Sequence, residues 1–213
     1  KRGKYGVAAP NVFNMKTVEA CFLVAKELKS PIIIDCAGVH GIEEVGELVR
    51  FYERRYPEVK YSLNLDHGST FEEAVLAIRS GFSSVMVDRS QKPYEENVKE
   101  VKEIVKIAHA VSVSVEAELG HVGVGLEYEK TRDEGLTDPN EAVQFVKDTG
   151  IDCLAVAIGT SHGTYKGTPR IDFELLQEIK GKVDVPLVLH GGSGTGDKKL
   201  ILPLTCLTKG YIN

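Results

Sequence analysis

Val59-Lys60-Tyr61-Ser62-Leu63-Asn64-Leu65-Asp66-His67-Gly68 is a strand-like run that ends on an acid, a histidine and a glycine. The arrangement returns twice. Cys153 to Ile158 leads to Ser161-His162-Gly163, and Val185 to Leu189 leads to His190-Gly191-Gly192-Ser193-Gly194. If these strands are parallel, their carboxyl ends share one rim of a sheet, where residues as far apart in sequence as His67 and His190 can meet. Neutral imidazole is the commonest protein ligand for zinc, and a set of three with one open position describes a catalytic ion rather than a closed structural one. The competing reading of each histidine is a polar cap on a strand end. Their recurrence at equivalent places, each beside glycine, favours the metal.

Outward from this stretch, a strand pattern followed by a helical one recurs along the chain. Val7 to Phe13 precedes a helix from Met15 to Leu28, Pro31 to Cys36 precedes one from Ile42 to Tyr56, and Val59 to Leu65 precedes one from Phe71 to Arg79. Ser83 to Val87 is followed by Tyr94 to Val111, where Val98, Val101, Val105 and Ala108 keep helical spacing. Ser112 to Leu119 leads through a long polar stretch to a helix from Pro139 to Asp148, capped by Asp138. Cys153 to Ile158 leads to Phe173 to Ile179, capped by Asp172, and Val185 to Leu189 is the seventh strand.

Strands so uniformly apolar predict a parallel sheet covered on both faces. Seven such units, with an eighth begun at Tyr211 to Asn213, predict an α/β fold, a (β/α)8 barrel with its eighth unit truncated, rather than an open doubly wound sheet. No linker or low-complexity stretch divides the chain, so residues 1–213 are read as one domain. Two long connections, Gly120 to Asp138 and Gly159 to Ile171, read as lids or binding loops.

Composition narrows the function. With 42% hydrophobic and 27% charged residues and a formal charge of -5, the chain lacks a basic footprint for nucleic acid. No apolar run reaches the length of a membrane span, and no signal-peptide pattern is read at the start. Cys21, Cys36, Cys153 and Cys206 are scattered without C-x-x-C spacing, which reads as reduced cysteine in a cytoplasmic protein, none of it binding the metal.

At the rim, Asp66 is placed to remove or return a proton next to a metal-polarised carbonyl. The glycines of His190-Gly191-Gly192-Ser193-Gly194 allow close approach of backbone to an anion, and the Ser193 hydroxyl adds a donor, so this turn reads as a phosphate grip, with Gly163 offering a further backbone donor. Glu116 and Glu118 share one strand face. A buried carboxylate needs a partner, so Glu118 is read as orienting a ligand, as an alternate metal ligand, or as half of an interior salt bridge.

Leu65-Asp66-His67-Gly68, Glu116-Ala117-Glu118-Leu119-Gly120, Gly159-Thr160-Ser161-His162-Gly163-Thr164-Tyr165 and Val188-Leu189-His190-Gly191-Gly192-Ser193-Gly194 closely resemble the motifs of the class II, zinc-dependent ketose-bisphosphate aldolases, the group containing fructose-bisphosphate and tagatose-bisphosphate aldolases. The motifs occur in order, from about Tyr5 to Lys209. The resemblance implies reversible cleavage of a ketose 1,6-bisphosphate to dihydroxyacetone phosphate and glyceraldehyde 3-phosphate through a zinc-stabilised enediolate. It implies that His67, His162 and His190 hold Zn2+, that Asp66 transfers the proton, and that Gly163, Gly191, Gly192 and Ser193 bind the triose phosphate. Asn11 matches a position near the aldehyde end. Gly163, Gly191 and Ser193 also match a monovalent-cation site for Na+ or K+, and family members are homo-oligomers, dimers or tetramers.

Three departures from the family pattern stand out. Asn64 stands where the family often has histidine, Ala37 stands where fructose-bisphosphate enzymes tend to have a substrate-contacting serine, and the loop after Gly120 lacks the usual double glycine and acidic pair, leaving Glu127 and Glu129 as two candidates for its acid. The choice between fructose and tagatose bisphosphate is open at this level. The rival readings are a metal-dependent hydrolase, with Asp66 activating water, and a non-catalytic phosphosugar-binding barrel. A Schiff-base aldolase would need a buried lysine at a strand end, and Asp88-Arg89 and Gly159-Thr160 supply none.

Overall fold

The structure is a computed structural model that describes residues 5–127, 130, 133–195 and 211–212, the last two as backbone. The contacts of the chain group it into two compact units, one made of residues 7–88 and 103–116, the other of residues 1–6, 89–102 and 117–213.

In the first unit, strands β1 (Val7–Ala8), β2 (Ile32–Ala37), β3 (Tyr61–Gly68) and β4 (Ser84–Val87) alternate with helices α1 (Met15–Leu28), α2 (Ile42–Arg55) and α3 (Phe71–Arg79). The end of α4 (Tyr94–Ala110) and the start of β5 (Ser114–Leu119) complete it. Strand β2 runs parallel to β3 from Ile32↔Tyr61 to Ala37↔Asp66, and β3 runs parallel to β4. The β-branched Ile32, Ile33 and Ile34 are all buried, as a strand covered on both faces requires.

The helices start where local chemistry stops the strands. Asn14 accepts from the Lys16 and Thr17 amides while Thr17 Oγ1 accepts from the Asn14 amide, a reciprocal cap that opens α1. Thr70 and Glu73 repeat the device at α3. Helix α1 then buries Val18, Cys21, Phe22 and Ala25, and Phe22 stacks on Tyr52 of α2 at 5.9 Å between ring centres.

The predicted Val7 to Phe13 strand is shorter than expected. Only Val7–Ala8 is strand. Pro10 has no amide to donate, and pairing resumes as a single parallel bridge, Asn11↔Asp35, in which Val12 N donates to Asp35 O at 2.8 Å and Asp35 N to Pro10 O at 3.0 Å.

The second unit holds the rest of β5, then α5 (Pro139–Thr149), β7 (Cys153–Val156), α6 (Phe173–Lys182), β9 (Leu187–Leu189) and β10 (Tyr211–Ile212). β7 lies between β5 and β9 in the sheet. It pairs with β9 in parallel, and β9 in turn with β10 through Tyr211↔Val188 and Ile212↔Leu189, where the eighth strand was expected to begin. Asp138 caps α5 with Pro139 at its first position, and Asp172 caps α6.

The two long connections carry structure of their own. Gly123–Val124 forms β6 and Ser161–His162 forms β8, and the two pair in parallel as a separate ribbon. The expected strand from Cys153 to Ile158 therefore ends at Val156, and His162 does not lie on it. The carbonyl of Ala157 is used instead by the Thr137 amide, and Thr137 Oγ1 accepts from Ala157 N and donates to Leu119 O. These bonds divert the chain from the sheet.

Gly68, last in β3, has no room for a side chain. A Cβ there would sit 2.6 Å from Met86 O and 2.8 Å from Leu65 Cδ2. Gly68→Ala should cost about 1–3 kcal/mol, the usual penalty of forcing atoms into a packed site, measured by denaturant unfolding against the parent chain.

Candidate active site

Strand β3 carries an extra residue. It pairs with β4 at Leu65↔Val85 and next at Gly68↔Val87, so three steps on one strand match two on the other. His67 takes up the difference in the left-handed region, at φ 49°. A side chain other than glycine rarely adopts this conformation, and a bulge re-aims the residues around it. Neighbours in a regular strand point to opposite faces. Here Asp66 Oδ1 and His67 Nε2 come within 3.8 Å. The sequence placed both residues after the strand; the structure places them inside it, with their side chains gathered by the bulge.

Each of the pair has its own support. Asn11 Nδ2 donates to Asp66 Oδ2 at 2.7 Å, and Asp66 is buried. His67 Nδ1 meets Asp88 Oδ2 at 2.9 Å. A carboxylate on one ring nitrogen sets the tautomer and leaves the other, Nε2, as the atom with a lone pair to offer, the usual pattern of metal-binding histidine. Asp88 was not singled out in the sequence, although its place just beyond β4 is the signal that marked the histidines.

Beneath Asp66 lies a buried acid. Asp35, 1% exposed, accepts from Asn64 Nδ2 at 2.9 Å. Burial pushes its carboxyl well above the usual carboxylate range, and the nearby carboxylates of Asp66 and Glu116 push it the same way. Asn64 thus serves this acid from the position that often holds histidine in the family.

In the second unit the ring centres of His162 and His190 lie 5.8 Å apart with their planes tilted by 52°. Two imidazoles on one tetrahedral ion, with bonds of roughly 2.1 Å, have centres about 5 Å apart, so this pair fits two corners of a zinc site. The nitrogen donors of His67, His162 and His190 are the chemistry zinc prefers.

Gly191, at φ 70°, packs on the preceding loop so closely that a Cβ would lie 2.5 Å from Ser161 O. Gly192–Gly194 is a short 3-10 turn, with Gly192 buried and Ser193 exposed. Gly163, at φ 77°, has no atom of the other described residues within 4 Å of where its Cβ would stand. Tyr165 Oη accepts from Ser161 N at 2.6 Å and contacts Gly191 O at 2.9 Å.

Glu118, fully buried, accepts from Val122 N at 2.8 Å through Oε1, and His121 Nδ1 lies 3.8 Å from the same oxygen. Asn97 Nδ2 holds the Glu118 carbonyl at 3.1 Å. Of the two candidate loop acids, Glu127 is exposed in the turn Gly125–Glu127, and Glu129 lies outside the described residues.

The model of the fructose-bisphosphate aldolase class-II family matches residues 1–205. The fructose-bisphosphate aldolase of Helicobacter pylori strain 26695 is 44% identical over 202 residues, 91% of this chain and 66% of that protein. That of Geobacillus stearothermophilus is 44% identical over 201 residues, 91% of this chain and 69% of that protein. The chain thus spans about two thirds of the length of these relatives.

Among solved structures, the YdjI aldolase of Escherichia coli K12 superposes with a TM-score of 0.86 at 33% identity, covering 99% of this chain and 76% of that one. A fructose-bisphosphate aldolase of Campylobacter jejuni, 20% identical, shares the fold with a TM-score of 0.77 over 99% of this chain and 71% of that one. The chain has the (β/α)8 barrel fold of such aldolases. It belongs to the class II fructose-bisphosphate aldolase family.

Asp35 offers a test of the buried acids. A carboxyl whose folded pKa is raised contributes stability that is complete below the ordinary carboxylate range and is lost as pH rises through the raised value. Asp35→Asn keeps an acceptor for Asn64 and removes the charge. Its thermal midpoint should exceed that of the parent by a margin that widens from about pH 5 to about pH 8, followed by thermal unfolding at each pH. A margin independent of pH would mean that Asp35 titrates alike folded and unfolded.

Proposed function

We propose that this protein catalyses the reversible aldol cleavage of a ketose 1,6-bisphosphate to dihydroxyacetone phosphate and glyceraldehyde 3-phosphate. The observation that carries the reading is the bulge that sets Asp66 beside His67, in a chain of the class II aldolase family. His67, His162 and His190 would hold one zinc ion. When bound, zinc supplies Lewis acidity that polarises a ketone carbonyl.

Asp66 moves the proton. Asn11 holds its Oδ2, which leaves Oδ1 on the side of the His67 ring as the oxygen that takes up or returns a proton when the carbon–carbon bond breaks or forms. Gly163, Gly191, Gly192 and Ser193 would bind the phosphate of the triose, with backbone amides as donors, and Gly163, Gly191 and Ser193 would also hold a Na+ or K+ ion. Holding the phosphate in this way fixes the reacting carbons against Asp66 and lowers the entropic part of the barrier. Glu118, already oriented by the Val122 amide, orients a ligand or serves as an alternate one.

The names of the relatives favour fructose 1,6-bisphosphate as the sugar, with tagatose 1,6-bisphosphate differing at one carbon. A cytoplasmic setting agrees with the free, buried thiols of Cys21 and Cys36. Assembly into a dimer or tetramer rests on the family resemblance and agrees with the exposed Leu23, Val24 and Leu28 on α1.

Chelation should abolish cleavage and added zinc should restore it, while borohydride with substrate should leave activity intact. A lysine adduct trapped by borohydride would contradict this mechanism. Parallel assays of fructose and tagatose bisphosphate identify the sugar. Asp66→Ala should keep near-parental zinc content and lose roughly 10²–10⁴ in turnover, the usual loss for a general acid or base, whereas a matching loss of zinc would make Asp66 an organiser of the site.

A further inference from the structure

The Tyr165 hydroxyl joins the two segments that carry His162 and His190. Its oxygen accepts from Ser161 N, at 2.6 Å, and lies 2.9 Å from Gly191 O. A phenol has one proton and a backbone amide can only donate, so the roles are settled: the amide gives to the phenol oxygen, and the phenol gives its proton to the Gly191 carbonyl. Ser161 directly precedes His162, and Gly191 directly follows His190.

The same two segments touch through their backbones, since a Cβ on Gly191 would meet Ser161 O, C and N all within 3 Å. Ser161 is 2% exposed, so its amide has no solvent to turn to. A lost acceptor there must be made good by movement of the loop. Beside this bridge, β8 is two residues long and pairs in parallel with Gly123 and Val124.

We infer that Tyr165 is a positioning residue for the metal site: its hydroxyl, by using donor and acceptor at once, fixes the spacing of the His162 and His190 imidazoles. This rests on the zinc reading proposed above for the same histidines. Outer groups that orient metal ligands commonly change affinity when removed, although they never touch the ion. Tyr165 does this through two peptide groups rather than through the rings.

The test is Tyr165→Phe, which removes the hydroxyl and keeps the ring, beside Tyr94→Phe, which removes a phenol bond to Asp148 Oδ2 (3.1 Å) in the same unit but away from the histidines in sequence. Zinc affinity is measured by competition with a chelator of known strength, and ligand geometry by the visible bands of the cobalt(II)-substituted protein. Tyr165→Phe should raise the zinc dissociation constant about 10–100-fold and shift the cobalt bands, while Tyr94→Phe leaves both at the parental values. A purely structural role would lower the thermal midpoint of both variants and move neither readout.

Parental zinc affinity and cobalt bands in Tyr165→Phe would overturn the inference and leave the zinc reading standing. A parent protein that takes up no zinc would overturn both. If Tyr165→Phe does not fold, 3-fluorotyrosine placed at 165 alone keeps the hydroxyl while making it a stronger donor and weaker acceptor. Cobalt bands shifted by that replacement support the inference, and superimposable bands overturn it.

Discussion

The pairing of β3 with β4 is one residue out of step, and the candidate chemistry depends on that offset. In a regular strand Asp66 and His67 would face opposite sides of the sheet, and an acid on one face cannot serve a metal ligand on the other. The extra residue between Leu65 and Gly68 sets both side chains within 3.8 Å, at the cost of a left-handed histidine. Strain of this kind persists only where the surroundings over-determine it. Here the packing of Gly68 against Met86 and Leu65, the Asp88 carboxylate on the His67 ring and the Asn11 amide on Asp66 all act on the same few residues.

His162 and His190 reach their spacing by a different route. Neither depends on a bulge. One lies on a two-residue strand in a loop and the other follows β9, and their segments are held together by backbone packing at Gly191 and by the Tyr165 hydroxyl. Because His162 hangs from the ribbon that also includes Gly123 and Val124, the loop after β5 is tied to the loop that bears a candidate zinc ligand. Two connections that look independent in sequence are therefore paired in this unit.

Electrostatics divides the acids by task. Asp35 is buried deeply enough, and close enough to two other carboxylates, that its neutral form is favoured. Burial also pushes the thiols of Cys21 and Cys36 up to about 11 and about 12, which makes them poor nucleophiles and poor metal ligands at neutral pH.

The order of strands and helices, the caps at Asp138 and Asp172, and the histidines at strand ends were legible in the sequence because each rests on residues within a few positions of one another. Periodicity marks the buried face of a segment, and a cap is built from its own first turn. What the sequence alone determined is therefore where each element lies and which residues stand near the rim. The bulge at His67, the Asp88 partner of that ring, the departure of His162 from β7 and the Tyr165 bridge were decided only by tertiary structure. Each is a hydrogen bond or a register between groups brought together from separate segments, such as Tyr165 and Gly191, and no local pattern records which distant backbone group will be waiting there.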